Sequence, residues 1–170
     1  MIRPFALFLF SLFTAAALHA GDATTILVVR HAEADQTPEV KDPALTEIGE
    51  KRAEALAEVA KDAGVRIVYT TQYRRTKDTA APLRRTGDIP LAEVAVARET
   101  IALQTAELAK KIIEQHKGET VLIVGHSNTV PLFVEALSGV KVPAIAHAEH
   151  DRLYVVILED GEARVIATRY

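Results

Sequence analysis

Three short apolar runs, Thr25–Val29, Arg66–Tyr69 and Thr120–Val124, each stop abruptly, and this punctuation constrains the fold most. Runs of four to eight apolar or β-branched residues suit strands buried on both faces, as in a parallel sheet. The first gives way to Arg30-His31, the second to a polar loop leading to Arg74, Arg75 and Lys77, the third to Gly125-His126-Ser127-Asn128. In an open α/β sheet, ligands bind beyond the carboxyl ends of the strands. If these three strands run parallel, two imidazoles and several cations gather at one crevice, an environment suited to an anion and above all to phosphate.

The segments between the runs read as helices. Thr46 is placed as an N-cap, with Glu47 and Glu50 near the positive helix end. Leu45, Ile48, Leu56, Val59 and Ala63 form the expected inner stripe of that helix, which Gly64 ends. Arg74 to Arg85 reads as a second helix, kinked or broken near its end by Pro82. A third strand is expected over Glu93–Ala97, a helix over Ala106–His116, and a last helix with Pro131 in its first turn. Leu153–Leu158 and Arg164–Thr168 flank Asp160-Gly161, a hairpin signal. The order β-α-β-α-β-α-β-α-β-β predicts an α/β three-layer sandwich: a mostly parallel sheet with an antiparallel edge, covered by helices.

The N-terminal residues stand apart. Arg3 precedes the nearly uninterrupted apolar run Phe5–Leu18, and Ala20 ends it, the layout of a secretory signal peptide over residues 1–20. The run is short for a membrane span, which needs about 20 apolar residues. One domain over residues 21–170 is then expected, periplasmic or secreted, with no stable membrane anchor after cleavage. Without Arg3, 19 Lys and Arg face 23 Asp and Glu, so the formal charge moves from −3 to −4 and nucleic acid is not an expected partner. There is no cysteine, hence no disulfide and no lipidated cysteine at the cleavage site.

Four stretches carry a family resemblance. Arg30-His31-Ala32-Glu33 is similar to the nucleophile motif Arg-His-Gly-Glu of the histidine phosphatase superfamily, which includes the cofactor-dependent phosphoglycerate mutases. Leu45-Thr46-Glu47-Ile48-Gly49 resembles its Leu-Thr-x-x-Gly element, and Thr71 to Ala80 its Ser-x-x-x-Arg-x-x-x-Thr-Ala motif, with Thr71 in place of serine. Val124-Gly125-His126-Ser127 resembles the element that bears the second histidine. Ala32 departs from the usual glycine. The resemblance implies a phosphoglycerate mutase-like fold, and most closely the short members that include phosphohistidine phosphatases.

It implies a metal-independent phosphohydrolase without cofactor. His31 would attack phosphorus and form a phosphohistidine, Arg30 and Arg75 would clamp the phosphoryl oxygens, and a protonated His126 would add a third donor. His31 has to be neutral to attack, and nearby cations favour that form. Glu99, beyond the third strand, is the candidate proton donor, and Glu33 is read as polar support. The expected substrates are a phosphorylated small molecule, an envelope glycolipid or a phosphohistidine protein. A catalytically silent phosphate-ligand binding protein is the alternative. His147-Ala148-Glu149-His150-Asp151 lacks zinc-site spacing and is read as a loop with a substrate contact.

Overall fold

The computed structural model describes residues 23–35, 37 and 39–170, so the expected signal peptide lies outside the described residues. Six strands form one sheet: β1 (Thr24–Arg30), β2 (Val65–Thr71), β3 (Leu91–Val94), β4 (Thr120–Gly125), β5 (Arg152–Glu159) and β6 (Glu162–Arg169), in the order β3-β2-β4-β1-β5-β6. The pairings β3-β2, β2-β4 and β4-β1 are parallel, and β1-β5 and β5-β6 are antiparallel. Four helices cover it: α1 (Glu47–Ala60), α2 (Arg74–Gly87), α3 (Ile101–Gln115) and α4 (Val130–Ser138). This is the expected three-layer sandwich with its antiparallel edge.

The period-two alternation of β1 separates two cores. Ile26 and Val28 face α3 and α4, where Ile112, Phe133 and Val134 lie, whereas Leu27 and Val29 face α1 and α2, with Leu56, Ala60 and Leu83. A strand buried on both faces has no polar side to present, which explains its unbroken apolar run. Register then levels the strand ends: Arg30 pairs with Gly125, and Thr70 with Val124.

Several local expectations change. The α1 stripe is rotated: Ile48 and Val59 are exposed, and Gly49, Ala53, Leu56, Ala57 and Ala60 face inward. Small residues win that face because the helix approaches the backbone after His31; a Cβ on Gly49 would lie 2.0 Å from the Glu33 carbonyl oxygen. Helix α2 runs through Pro82 unbroken to Gly87, and Asp88 closes it in the left-handed conformation. Strand β3 lies at Leu91–Val94, earlier than expected, because its pairing with Val68–Thr71 sets it. Helix α3 starts five residues early, behind a 3₁₀ turn at Arg98–Thr100. No helix of the described residues is long and apolar enough to cross a membrane.

Gly49→Ala forces apart α1 and the Glu33 peptide, whose carbonyl also accepts from Thr46 N at 2.9 Å. Overpacking of this kind costs about 1–3 kcal/mol, so the urea midpoint of Gly49→Ala falls accordingly. An unshifted midpoint would show that the helix does not need this close approach.

Candidate active site

The carboxyl ends of β1, β2 and β4 open into a cavity of about 540 Å³ lined by Arg30, His31, Arg75 and His126. The three strands thus bring together both histidines and two of the cations read from the sequence. The others turn away: Arg74 pairs with Asp78 and Lys77 with Glu93.

His31 is held from several sides. Its Nδ1 lies 2.7 Å from the Ala32 carbonyl oxygen. A carbonyl only accepts, so Nδ1 carries the proton and neutral His31 keeps a bare lone pair on Nε2. The Ala32 N–H donates to Thr79 Oγ1 at 2.9 Å, and that hydroxyl donates to the Arg75 carbonyl at 2.7 Å. The His31 N–H donates to the Gly125 carbonyl at 2.9 Å. His150 Nδ1 donates to the His31 carbonyl at 2.8 Å, with ring centroids 5.6 Å apart. Ala32 is fully buried, and the only described non-glycine residues at positive φ are Asp88 and Asp160, so alanine takes the glycine position without backbone strain.

His126 is oriented by a hydroxyl relay. Thr76 Oγ1 donates to the Tyr73 carbonyl at 2.7 Å, so it accepts from Thr71 Oγ1 at 3.0 Å. With its proton committed, Thr71 Oγ1 accepts from His126 Nε2 at 3.0 Å. Nδ1 is left as the ring nitrogen without a protein partner among the described residues. The main chain here needs glycine before the histidine. A Cβ on Gly125 would sit 2.5 Å from Thr129 Oγ1, which accepts from His126 N at 2.7 Å.

Arg30 Nη1 donates to the carbonyls of Ala146, His147 and Glu149 at 2.8–3.0 Å. Its buried Nε has no hydrogen-bond partner among the described residues. The guanidinium is therefore anchored to the loop at Nη1, while it lines the cavity. Arg75 stacks over the Tyr73 ring at 4.4 Å and lies 3.9 Å from Asp42. Behind the site, Glu33 accepts three hydrogen bonds from Arg52 at 2.7–2.9 Å. Burial opposes its charge, yet the Arg52 bonds hold the Glu33 carboxyl below the usual range. Glu33 is thus the polar support expected of it.

Burial pushes His31 down to about 3; the bond to Ala32 opposes this, while His126, Arg75 and Arg30 add to it. Burial, then Arg75 and Arg30, pushes His126 down to about 4. Both rings are neutral at neutral pH. The imidazolium expected at His126 is thus disfavoured, chiefly because burial penalises the charge and secondly because Arg75 and Arg30 lie near.

Glu99 is not brought into the site. It is exposed on the 3₁₀ turn, while Arg98 and Ile101 line the cavity. Residues three apart eclipse in a 3₁₀ helix, so 98 and 101 share a face that 99 does not. Among the described residues Asp35 is the only carboxylate on the wall; its Oδ1 accepts from Thr37 N and Oγ1 at 2.9 and 2.7 Å. His147 reaches the cavity, in line with the substrate-contact reading of its loop. Among the described residues no three His, Cys, Asp or Glu are grouped to hold a metal ion. The part played by His150 was missed, since nothing in the sequence ties residue 150 to residue 31; only the β1-β5 pairing does.

Comparison with known proteins agrees with this geometry. Residues 26–104 match the family model for the histidine phosphatase superfamily (branch 1). Among solved structures, YhfR of Bacillus stearothermophilus is similar at 19% identity and a TM-score of 0.66, over 84% of this chain and 95% of that one. SixA of Agrobacterium tumefaciens, titled a putative phosphohistidine phosphatase, is 21% identical with a TM-score of 0.62, over 86% and 98%. A mycobacterial glucosyl-3-phosphoglycerate phosphatase is 14% identical with a TM-score of 0.64, over 87% and 98%. No curated protein sequence matches the chain.

A histidine whose folded pKa is depressed binds fewer protons folded than unfolded below its ordinary value of about 6.5. Stability therefore falls as pH drops through the window from about 6.5 toward the folded values of about 4 and 3. His126→Gln removes one such group, and its loss of stability between pH 6.5 and 4, followed by urea unfolding, should be shallower than that of the wild type. Parallel curves would place the charge on His126 already in the free protein.

Proposed function

We propose that the chain, whose residues 26–104 match the histidine phosphatase superfamily (branch 1), is a phosphohydrolase of that superfamily acting through a phosphohistidine on His31. The observation that carries this reading is the fixed tautomer. Nδ1–H is spent on the Ala32 carbonyl, so the Nε2 lone pair belongs to the ring nitrogen that has no protein partner among the described residues. Nε2 forms a bond to phosphorus as the ester P–O bond breaks, and the bonding pair leaves with the ester oxygen. Water then attacks phosphorus, the N–P bond breaks, and its electron pair returns to Nε2.

Arg30 and Arg75 neutralise the phosphoryl oxygens, the part a metal plays in other phosphoryl-transfer sites. A bound phosphate dianion opposes the guanidinium fields on His126 and draws a proton onto its bare Nδ1, which then donates to the phosphoryl group. Glu99 is exposed and does not line the cavity, so no role at the leaving oxygen is assigned to it. The reaction therefore favours substrates whose leaving group departs with little protonation, such as aryl phosphates and phosphohistidine. The names of the similar structures, a putative phosphohistidine phosphatase and a glucosyl-3-phosphoglycerate phosphatase, support phosphorylated proteins and phosphorylated small molecules as substrate classes. The Arg3 and Phe5–Leu18 pattern supports export of residues 21–170 to the periplasm or medium, where an envelope glycolipid is a further substrate class.

With p-nitrophenyl phosphate as substrate, the wild type turns over, and His31→Ala loses activity by about 10³-fold or more, as for removal of a nucleophile. Rapid denaturation in base during turnover should trap phosphate on His31, readable by mass spectrometry. Turnover that survives His31→Ala would overturn the assignment. Binding of phosphate without turnover would make the protein a silent phosphate-ligand binder.

A further inference from the structure

The cavity holds more than a phosphoryl group requires, and its outer wall carries a third arginine. Three arginines, 30, 75 and 98, line it against one carboxylate, Asp35, in a chain of net charge −3. Arg30 is tied to loop carbonyls and Arg75 to Tyr73 and Asp42. Arg98 has no hydrogen bond or ion pair among the described residues, although it is exposed on a surface rich in carboxylates.

Its backbone, by contrast, is fixed. Gln72 Nε2 donates to the Val96 carbonyl at 3.0 Å and Gln72 Oε1 accepts from Val96 N at 3.0 Å. Gln104 Oε1 accepts from Ala97 N at 2.9 Å, and Thr100 N donates to the Ala97 carbonyl at 3.2 Å. Two glutamine side chains thus replace the sheet partner that this segment lost when β3 stopped at Val94. The segment is held so that Arg98 and Ile101 face the cavity together, and Val96 and Ala97 add an apolar wall beside them.

A guanidinium on the wall of a cationic cavity, carried by a fixed backbone and unpaired among the described residues, is a recognition group for an anion. The phosphoryl group already has Arg30 and Arg75 at the strand ends. We infer that Arg98 is a specificity-determining residue that reads a second anionic group on the leaving group. The substrate class is then a phosphomonoester whose leaving group has an apolar body and carries a carboxylate or a second phosphate. This rests on the phosphohydrolase reading and narrows it.

Phenyl phosphate, 3-carboxyphenyl phosphate and 4-carboxyphenyl phosphate test it. For the wild type, kcat/KM for at least one carboxylated ester exceeds that for phenyl phosphate. Arg98→Gln lowers the value for that ester about tenfold more than for phenyl phosphate, the scale of one charge-assisted bidentate contact. Arg98→Lys keeps part of the preference, and added salt reduces it in the wild type. No preference for either carboxylated ester, or a preference that Arg98→Gln leaves in place, would overturn the inference. Failure of the wild type to hydrolyse any of the three removes the phosphohydrolase reading instead. Calorimetric binding of the same esters to wild type and Arg98→Gln then decides the role of Arg98 independently.

Discussion

One bond, from His31 Nδ1–H to the carbonyl of its own neighbour Ala32, decides what the site can do. It selects a tautomer, and the tautomer leaves the lone pair of the neutral ring on Nε2. A bond within a dipeptide orients the ring only if the acceptor peptide is itself immobile. The peptide just before it, His31–Ala32, is fixed by Thr79 through Ala32 N and by His150 through the His31 carbonyl, and the one before that by Gly125 through His31 N. The elements surrounding β1 therefore converge on two peptide groups. The close approach of α1 at Gly49 belongs to the same requirement, since it presses on the next carbonyl along, that of Glu33.

The second constraint is electrostatic. A buried imidazole among guanidiniums is forced neutral, and both His31 and His126 are in that position. For the proposed nucleophile this is a gain; for His126 it makes the charge conditional on the ligand. The guanidiniums of Arg30 and Arg75 thus set a positive field at the strand ends, which favours an anion there. Desolvating Arg30 is tolerable because three loop carbonyls hold one of its nitrogens. A lysine offers no planar fork to satisfy both this loop and a phosphoryl group.

Much of this was legible in the sequence because strands announce themselves by where their apolar runs stop. The β/α alternation, the sheet with its antiparallel edge, and the meeting of Arg30, His31, Arg75 and His126 all followed from those stops. What depended on helical phase was harder. Ile48 and Val59 are apolar but exposed, since the close approach of α1 at Gly49 turns a face made mostly of glycine and alanine, with Leu56, toward the sheet. Glu99 was placed at the correct edge of the sheet, but the 3₁₀ turn offers the cavity Arg98 instead. His150 was invisible because its partner lies 119 residues away. The Gln72 clamp on Val96 was equally hidden, since a polar residue in a loop gives no sign of what it will hold.

The dependence of β1 on β5 also ties the site to the far end of the chain. The Arg30 anchor draws on residues 146–149, the His31 carbonyl on His150, and Arg52, which holds Glu33, also donates to the Tyr170 carbonyl. The parallel strands β1, β2 and β4 set the level of the strand ends, but the support of the first arginine and of the His31 carbonyl comes from the segment leading into the antiparallel edge. The edge hairpin is therefore a brace for the site as well as a border of the sheet: β5 pairs along β1 from Thr24 to Val29 and carries these supporting groups just before its amino end.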